Sequence, residues 1–110
     1  MKAVTIAVAA VALSLGLAAP ASADTDTDFT NALHIHGIYG QKDYNAWIAK
    51  IACKRLNRGT DADAYSSAEF VLAQLDKDAT TEQAWQFLGL AIPMYCPEQQ
   101  HVLTDVATQA

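Results

Sequence analysis

Thr80-Thr81-Glu82-Gln83-Ala84-Trp85-Gln86-Phe87-Leu88-Gly89-Leu90-Ala91-Ile92-Pro93-Met94-Tyr95-Cys96-Pro97 decides the fold. Thr80 and Gln83 have the spacing of a capping box, in which each side chain satisfies a backbone N–H at the start of a helix. Behind them Ala84, Trp85, Phe87, Leu88, Ala91, Ile92 and Tyr95 cover a wide apolar arc. A helix that is apolar over so much of its circumference needs neighbours on several sides. It is therefore expected at the centre of an all-α fold. Pro93 lacks an N–H, and its ring crowds the carbonyl of Gly89, which predicts a kink near residues 89–93. Pro97 suits the first position of a last short helix reaching about Val106, with Cys96 near its N-cap.

Upstream, the sequence predicts three more helices. Tyr65, Ala68, Val71, Leu72 and Leu75 have helical spacing over 64–75, after a turn with caps at 60–63. Tyr44, Trp47, Ile48, Ile51, Ala52 and Arg55 recur at the same period behind Asp43, a candidate N-cap, and Gly59 closes that helix. Phe29 and Leu33 share a face of a first helix over 29–36. Gly37 follows, where a left-handed cap favours glycine. The architecture read from this pattern is a compact bundle of four to five short helices over residues 29–107. No segment has the pattern of a strand.

The first 23 residues have a different character. Met1-Lys2 precedes an apolar run from Ala3 to Ala19, and Ala21-Ser22-Ala23 has small residues where a signal peptidase needs them. This is the pattern of a secretory signal peptide cut after Ala23. The run is shorter than the ~20 residues of a membrane span. Asp24-Thr25-Asp26-Thr27-Asp28 is then expected as a flexible acidic leader, with Thr27 or Asp28 capping the first helix.

Charge and cysteines narrow the function. The chain carries 7 basic and 12 acidic residues, a net charge of −5. Cleavage removes only Lys2 among them and leaves the rest more acidic still. That speaks against nucleic acid or an anionic membrane surface as partner. The chain has two cysteines, Cys53 and Cys96. Export to an oxidising compartment predicts a disulfide between them, worth roughly 4 kcal/mol in the chain-entropy picture.

Phe29…Leu33…Gly37-Ile38, then Cys53-x-x-Leu56-x-x-Gly59, then Ala91-x-x-x-Tyr95-Cys96-Pro97, resembles a family of small exported actinobacterial proteins, chiefly mycobacterial, known as domain of unknown function 732. The resemblance spans about Asp28 to Pro97. It implies a compact helical domain with one disulfide, secreted or held in the cell envelope, and it brings no activity and no catalytic residue. The sequence departs from the family pattern at Lys50, where a small residue is common, and at Pro93.

Candidate sites are few. His34 and His36 flank Ile35, but on a helix they diverge by about 200°. A metal or haem site there needs His101 as a third ligand, brought in by a last helix folded beside the first. Trp47, Trp85, Tyr65, Tyr95, Phe70 and Phe87 are expected mainly as core, with an aromatic-lined ligand cavity as the alternative. Lys50, Lys54 and Arg58 lie at i, i+4 and i+8, joined by Arg55. They form a basic face near the helix C-terminus, read by default as a solvated face that complements the helix dipole, with docking of an acidic partner or anionic envelope component as the alternative. Asp61, Asp63 and Glu69 are read as capping and solubilising acids. Ser66 and Ser67 lack the glycines of a nucleophile elbow, and there is no phosphate loop or HExxH. The expectation is an extracytoplasmic, non-enzymatic module that binds a protein or envelope component and needs no cofactor. The competing expectations are a small-ligand, metal or haem carrier, and an enzyme without a motif.

Overall fold

A computed structural model describes residues 21–109. It contains five α-helices: α1 (Ala21–Ile35), α2 (Lys42–Asn57), α3 (Ala64–Gln74), α4 (Thr81–Tyr95) and α5 (Gln100–Gln109). A 3-10 turn, Pro97–Gln99, joins α4 to α5. No strand occurs among the described residues. The signal-peptide reading of 1–23 falls largely on residues outside them. No described helix is long and apolar enough to cross a membrane.

The central position expected for α4 is observed. It packs against α1, α2, α3 and α5, and Ala84, Phe87, Leu88, Ala91 and Ile92 are fully buried along it. Its N-terminus is closed by the capping box: Gln83 N donates to Thr80 Oγ1 at 3.1 Å, and Thr80 N donates to Gln83 Oε1 at 3.0 Å. Pro93 lies inside a helix that continues to Tyr95. Both Pro93 and Gly89, whose carbonyl loses its usual partner, are exposed. The hydrogen bond is missing on the solvent-facing side, where the freed carbonyl is open to water.

α3 starts where Asp63 accepts from Ser66 N at 2.9 Å. Gly37 and Gly59 have φ of 74° and 77° after α1 and α2, the left-handed conformation that only glycine adopts cheaply. Two boundaries differ from the sequence reading. α1 begins at Ala21, so residues 24–28 lie inside the helix and do not form a leader before a cap at Thr27 or Asp28. α2 begins at Lys42 with Gln41 as N-cap, two residues earlier than Asp43 implies.

The buried face of α2 is also rotated from expectation. Ala46, Ile48, Ala49, Ala52, Cys53 and Leu56 face the core, while Tyr44 and Trp47 point outward, Trp47 with 52% of its surface exposed. α2 touches α1, α3 and α4. Three neighbours crowd its inner face, and alanines let their backbones approach. The large volumes come from α1 and α4 instead. Phe29 lies edge-on to Phe87 and to Tyr95, with centroids 5.1 and 5.3 Å apart.

Cys53 and Cys96 form a disulfide with Cα atoms 5.7 Å apart. It fastens the C-terminal half of α2 to the residue that ends α4.

Candidate functional site

The outward edge of α2 and the end of α4 enclose the candidate site. Residues four apart on a helix lie above one another, so Lys50, Lys54 and Arg58 form one row. The disulfide draws the end of α4 alongside that row, which places Tyr95 beside Lys50. The result is a surface groove of about 340 Å³ lined by Lys50, Cys53, Lys54, Asn57, Arg58 and Tyr95. No carboxylate lines it. At one end Gln99 Nε2 donates to Asn57 Oδ1 at 2.8 Å, which ties the 3-10 turn to α2.

The other end meets α1. Tyr95 Oη donates to Asp26 Oδ1 at 2.5 Å, and Lys50 Nζ lies 3.4 Å from Asp26 Oδ2. The same ammonium is 5.8 Å from the Tyr95 ring centroid. Partial burial, followed by the hydrogen bond to Asp26 and its negative charge, raises the Tyr95 phenol well above its ordinary pKa. Tyr95 is therefore a neutral donor at any physiological pH. Asp26, assigned to a flexible leader in the sequence reading, instead anchors α1 across the molecule.

The four cations of the predicted basic face divide by role. Arg55 turns away from the groove. Its Nε and Nη2 each donate to Asp61 at 2.9 Å, and its guanidinium lies 4.4 Å over the Phe70 ring. Asp61 is buried and also accepts from Ser67 Oγ at 3.2 Å. Asp61 is thus an internal structural acid, in contrast to the solubilising role read from sequence. Lys50 is shared with Asp26. Lys54 and Arg58 are exposed and have no ion-pair partner among the described residues.

The histidines do not converge. His34 and His36 are exposed at the end of α1, and His34 faces the Tyr39 ring with centroids 5.1 Å apart. His101 is on α5, which packs on α3 and α4 and borders Ala62 and Asp63. The last helix does not bring His101 to the first. Among the described residues no three His, Cys, Asp or Glu side chains form a group able to hold a metal.

The aromatics divide as well. Phe87 is buried, and Phe70, Trp85 and Tyr95 are half-buried against the core. Trp47 and Tyr65 are exposed, which corrects their assignment to the core. Tyr65 lies edge-on to Trp85 and borders a shallow surface depression of about 280 Å³. Sequence reasoning found Lys50, Lys54 and Arg58 from their spacing. It missed Asn57 and Tyr95 as groove residues, although the adjacency of Tyr95 to Cys96 was a usable signal once the bridge was assigned.

A family model described as "Protein of unknown function (DUF732)" matches residues 24–98. Two uncharacterized proteins of Mycobacterium tuberculosis, from strain CDC 1551 / Oshkosh and strain H37Rv, are each 54% identical to this chain over 81 residues. The alignments cover 74% of this chain and 72% of each relative. No solved structure matches. The motif residues from Phe29 to Pro97 all fall within the matched span, and the chain belongs to the DUF732 family of proteins of unknown function.

Proposed function

We propose that this protein is exported and acts outside the cytoplasm as a non-enzymatic binding module. The N-terminal pattern of Lys2, an apolar run and Ala21-Ser22-Ala23 supports export. The Cys53–Cys96 bridge is in keeping with an oxidising compartment. One observation carries the binding reading: Lys54 and Arg58 stand unpaired in a shallow, open groove that no carboxylate among the described residues lines. In a protein with a net charge of −5, that is a local reversal of sign. A carrier with an enclosed ligand has less support. Phe29, Leu33, Ile48, Phe87, Leu88 and Ile92 fill the interior, and the depressions lined by described residues open to the surface.

Fractionation of mycobacterial cells producing the chain with a C-terminal tag tests the proposal. The expected result is a species beginning at Asp24, with no free thiol, in the envelope or culture fluid. An unprocessed, reduced chain confined to the cytoplasm would overturn it.

A further inference from the structure

We infer that the groove between α2 and the end of α4 is a binding site for phosphate esters, with Lys54 and Arg58 as primary ligands and Lys50 recruited from Asp26. The inference rests on the binding-module reading and names the chemistry of its ligand.

Three features carry it. The first is charge geometry. Lys50, Lys54 and Arg58 form a row about 12 Å long, from eight residues at 1.5 Å rise. A single carboxylate engages one of these side chains. A phosphoryl group, with three oxygens and up to two charges, bridges neighbouring ones, and the Arg58 guanidinium matches it with two parallel N–H donors. The second is the wall. Tyr95 and Cys53 line the groove beside the cations, and the Tyr95 ring offers an organic ester an apolar surface for its non-ionic part. Trp47 lies three residues before Lys50 on the same outward edge and is exposed, which extends that surface along the helix. The third is the competitor already present. Asp26 reaches Lys50 from α1 at 3.4 Å, and the Lys50 side chain is 54% exposed. An incoming phosphate and Asp26 therefore compete for one cation, while Asp26 keeps its bond from Tyr95.

The acidity of the whole chain does not oppose this. Screening limits the reach of distant charges to about 10 Å at moderate salt. The chain as a whole is poorly suited to lie flat on an anionic surface, but a groove that takes one headgroup is governed by the charges lining it.

The test titrates oxidised protein, produced from the full-length gene in an exporting host, with inorganic pyrophosphate. A parallel arm uses phosphatidylcholine vesicles containing phosphatidylinositol. Backbone amide shifts are followed by NMR. Saturable shifts centred on Lys50, Lys54, Asn57, Arg58 and Tyr95 are expected, weakening as salt rises. The double variant Lys54→Glu, Arg58→Glu is expected to bind at least about tenfold more weakly. Asp26→Asn keeps an acceptor for Tyr95, removes the competing charge and is expected to bind about threefold more tightly, the scale of an exposed pair. Binding to vesicles alone assigns the phosphate to a lipid headgroup, and binding to pyrophosphate assigns it to a free phosphoryl group. No saturable shift in either arm, shifts centred elsewhere, or indifference to both sets of substitutions would overturn the inference and leave the export result standing. Hydrolysis of pyrophosphate, read from the phosphorus signal, would support the site and overturn the non-enzymatic reading.

Discussion

Arg55 and Asp61 are joined by two parallel hydrogen bonds of 2.9 Å that fold the turn after α2 back onto the helix. The turn between them contains Gly59 with its positive φ, and Asp61 N donates to Arg55 O at 3.2 Å. Backbone and side chains thus close the same loop. Ser67 Oγ adds a bond from α3, so one carboxylate fixes the angle between two helices.

This network predicts an order of stabilities. Ser67→Ala removes one bond and is expected to cost about 1 kcal/mol. Asp61→Ala leaves Ser67 and the Arg55 fork without their shared acceptor and is expected to cost more. Urea midpoints of the two variants check the order. A larger loss in Ser67→Ala would show that the carboxylate is not the hub.

The bridge predicts a large reductant effect. Cys53 and Cys96 are 43 positions apart. Replacing both by serine is expected to cost about 4 kcal/mol, a major share of what a small domain possesses. Thermal unfolding of the Cys53→Ser, Cys96→Ser protein measures it. Wild-type protein is expected to show no reactive thiol in denaturant.

Gln83 has a second task besides the cap. Its Oε1 accepts from Thr80 N, while Nε2 donates to the carbonyls of His36 and Gly37 at 3.2 and 3.4 Å. Thr80→Ala is expected to cost about 1 kcal/mol through the cap alone. Gln83→Ala loses the cap and the tie to the α1–α2 connection and is expected to cost more. Equal losses in a chemical denaturation series would mean that the tie contributes nothing.

Tyr95 sets an alkaline limit. Its phenol is held protonated above the ordinary tyrosine range, first by burial and then by Asp26. Above about pH 10 the unfolded chain releases that proton while the folded chain keeps it. The folded state then binds more protons than the unfolded one, so stability falls as pH rises. This contribution is complete below pH 10 and is lost progressively above it. Tyr95→Phe is expected to flatten the fall between pH 9 and 11 in urea titrations, and an unchanged slope would sink the assignment.

Much of the fold was legible because it is written in local chemistry. The Thr80–Gln83 box, the Asp63 cap, Gly37, Gly59 and the cysteine pair are each readable within a few residues. The wide apolar arc of α4 also placed that helix correctly. The face of α2 was misread because hydrophobicity favours Tyr44 and Trp47, whereas the crowding of three neighbouring helices favours Ala46, Ala49 and Ala52. The burial of Asp61 depends on a partner six residues away across a glycine turn, which no periodicity signals. The basic row was legible from spacing. The groove was not, because its second wall, Tyr95, comes from a distant helix.

The Cys53–Cys96 bond also turns α3 and all of α4 into part of a covalent ring. A protease that cuts the exposed Asp76–Asp78 stretch between them opens the ring but separates nothing. Both pieces remain one molecule, still packed, until a reductant arrives. A protein built this way can be nicked once in a protease-rich environment and still present α2, Tyr95 and the surface between them intact.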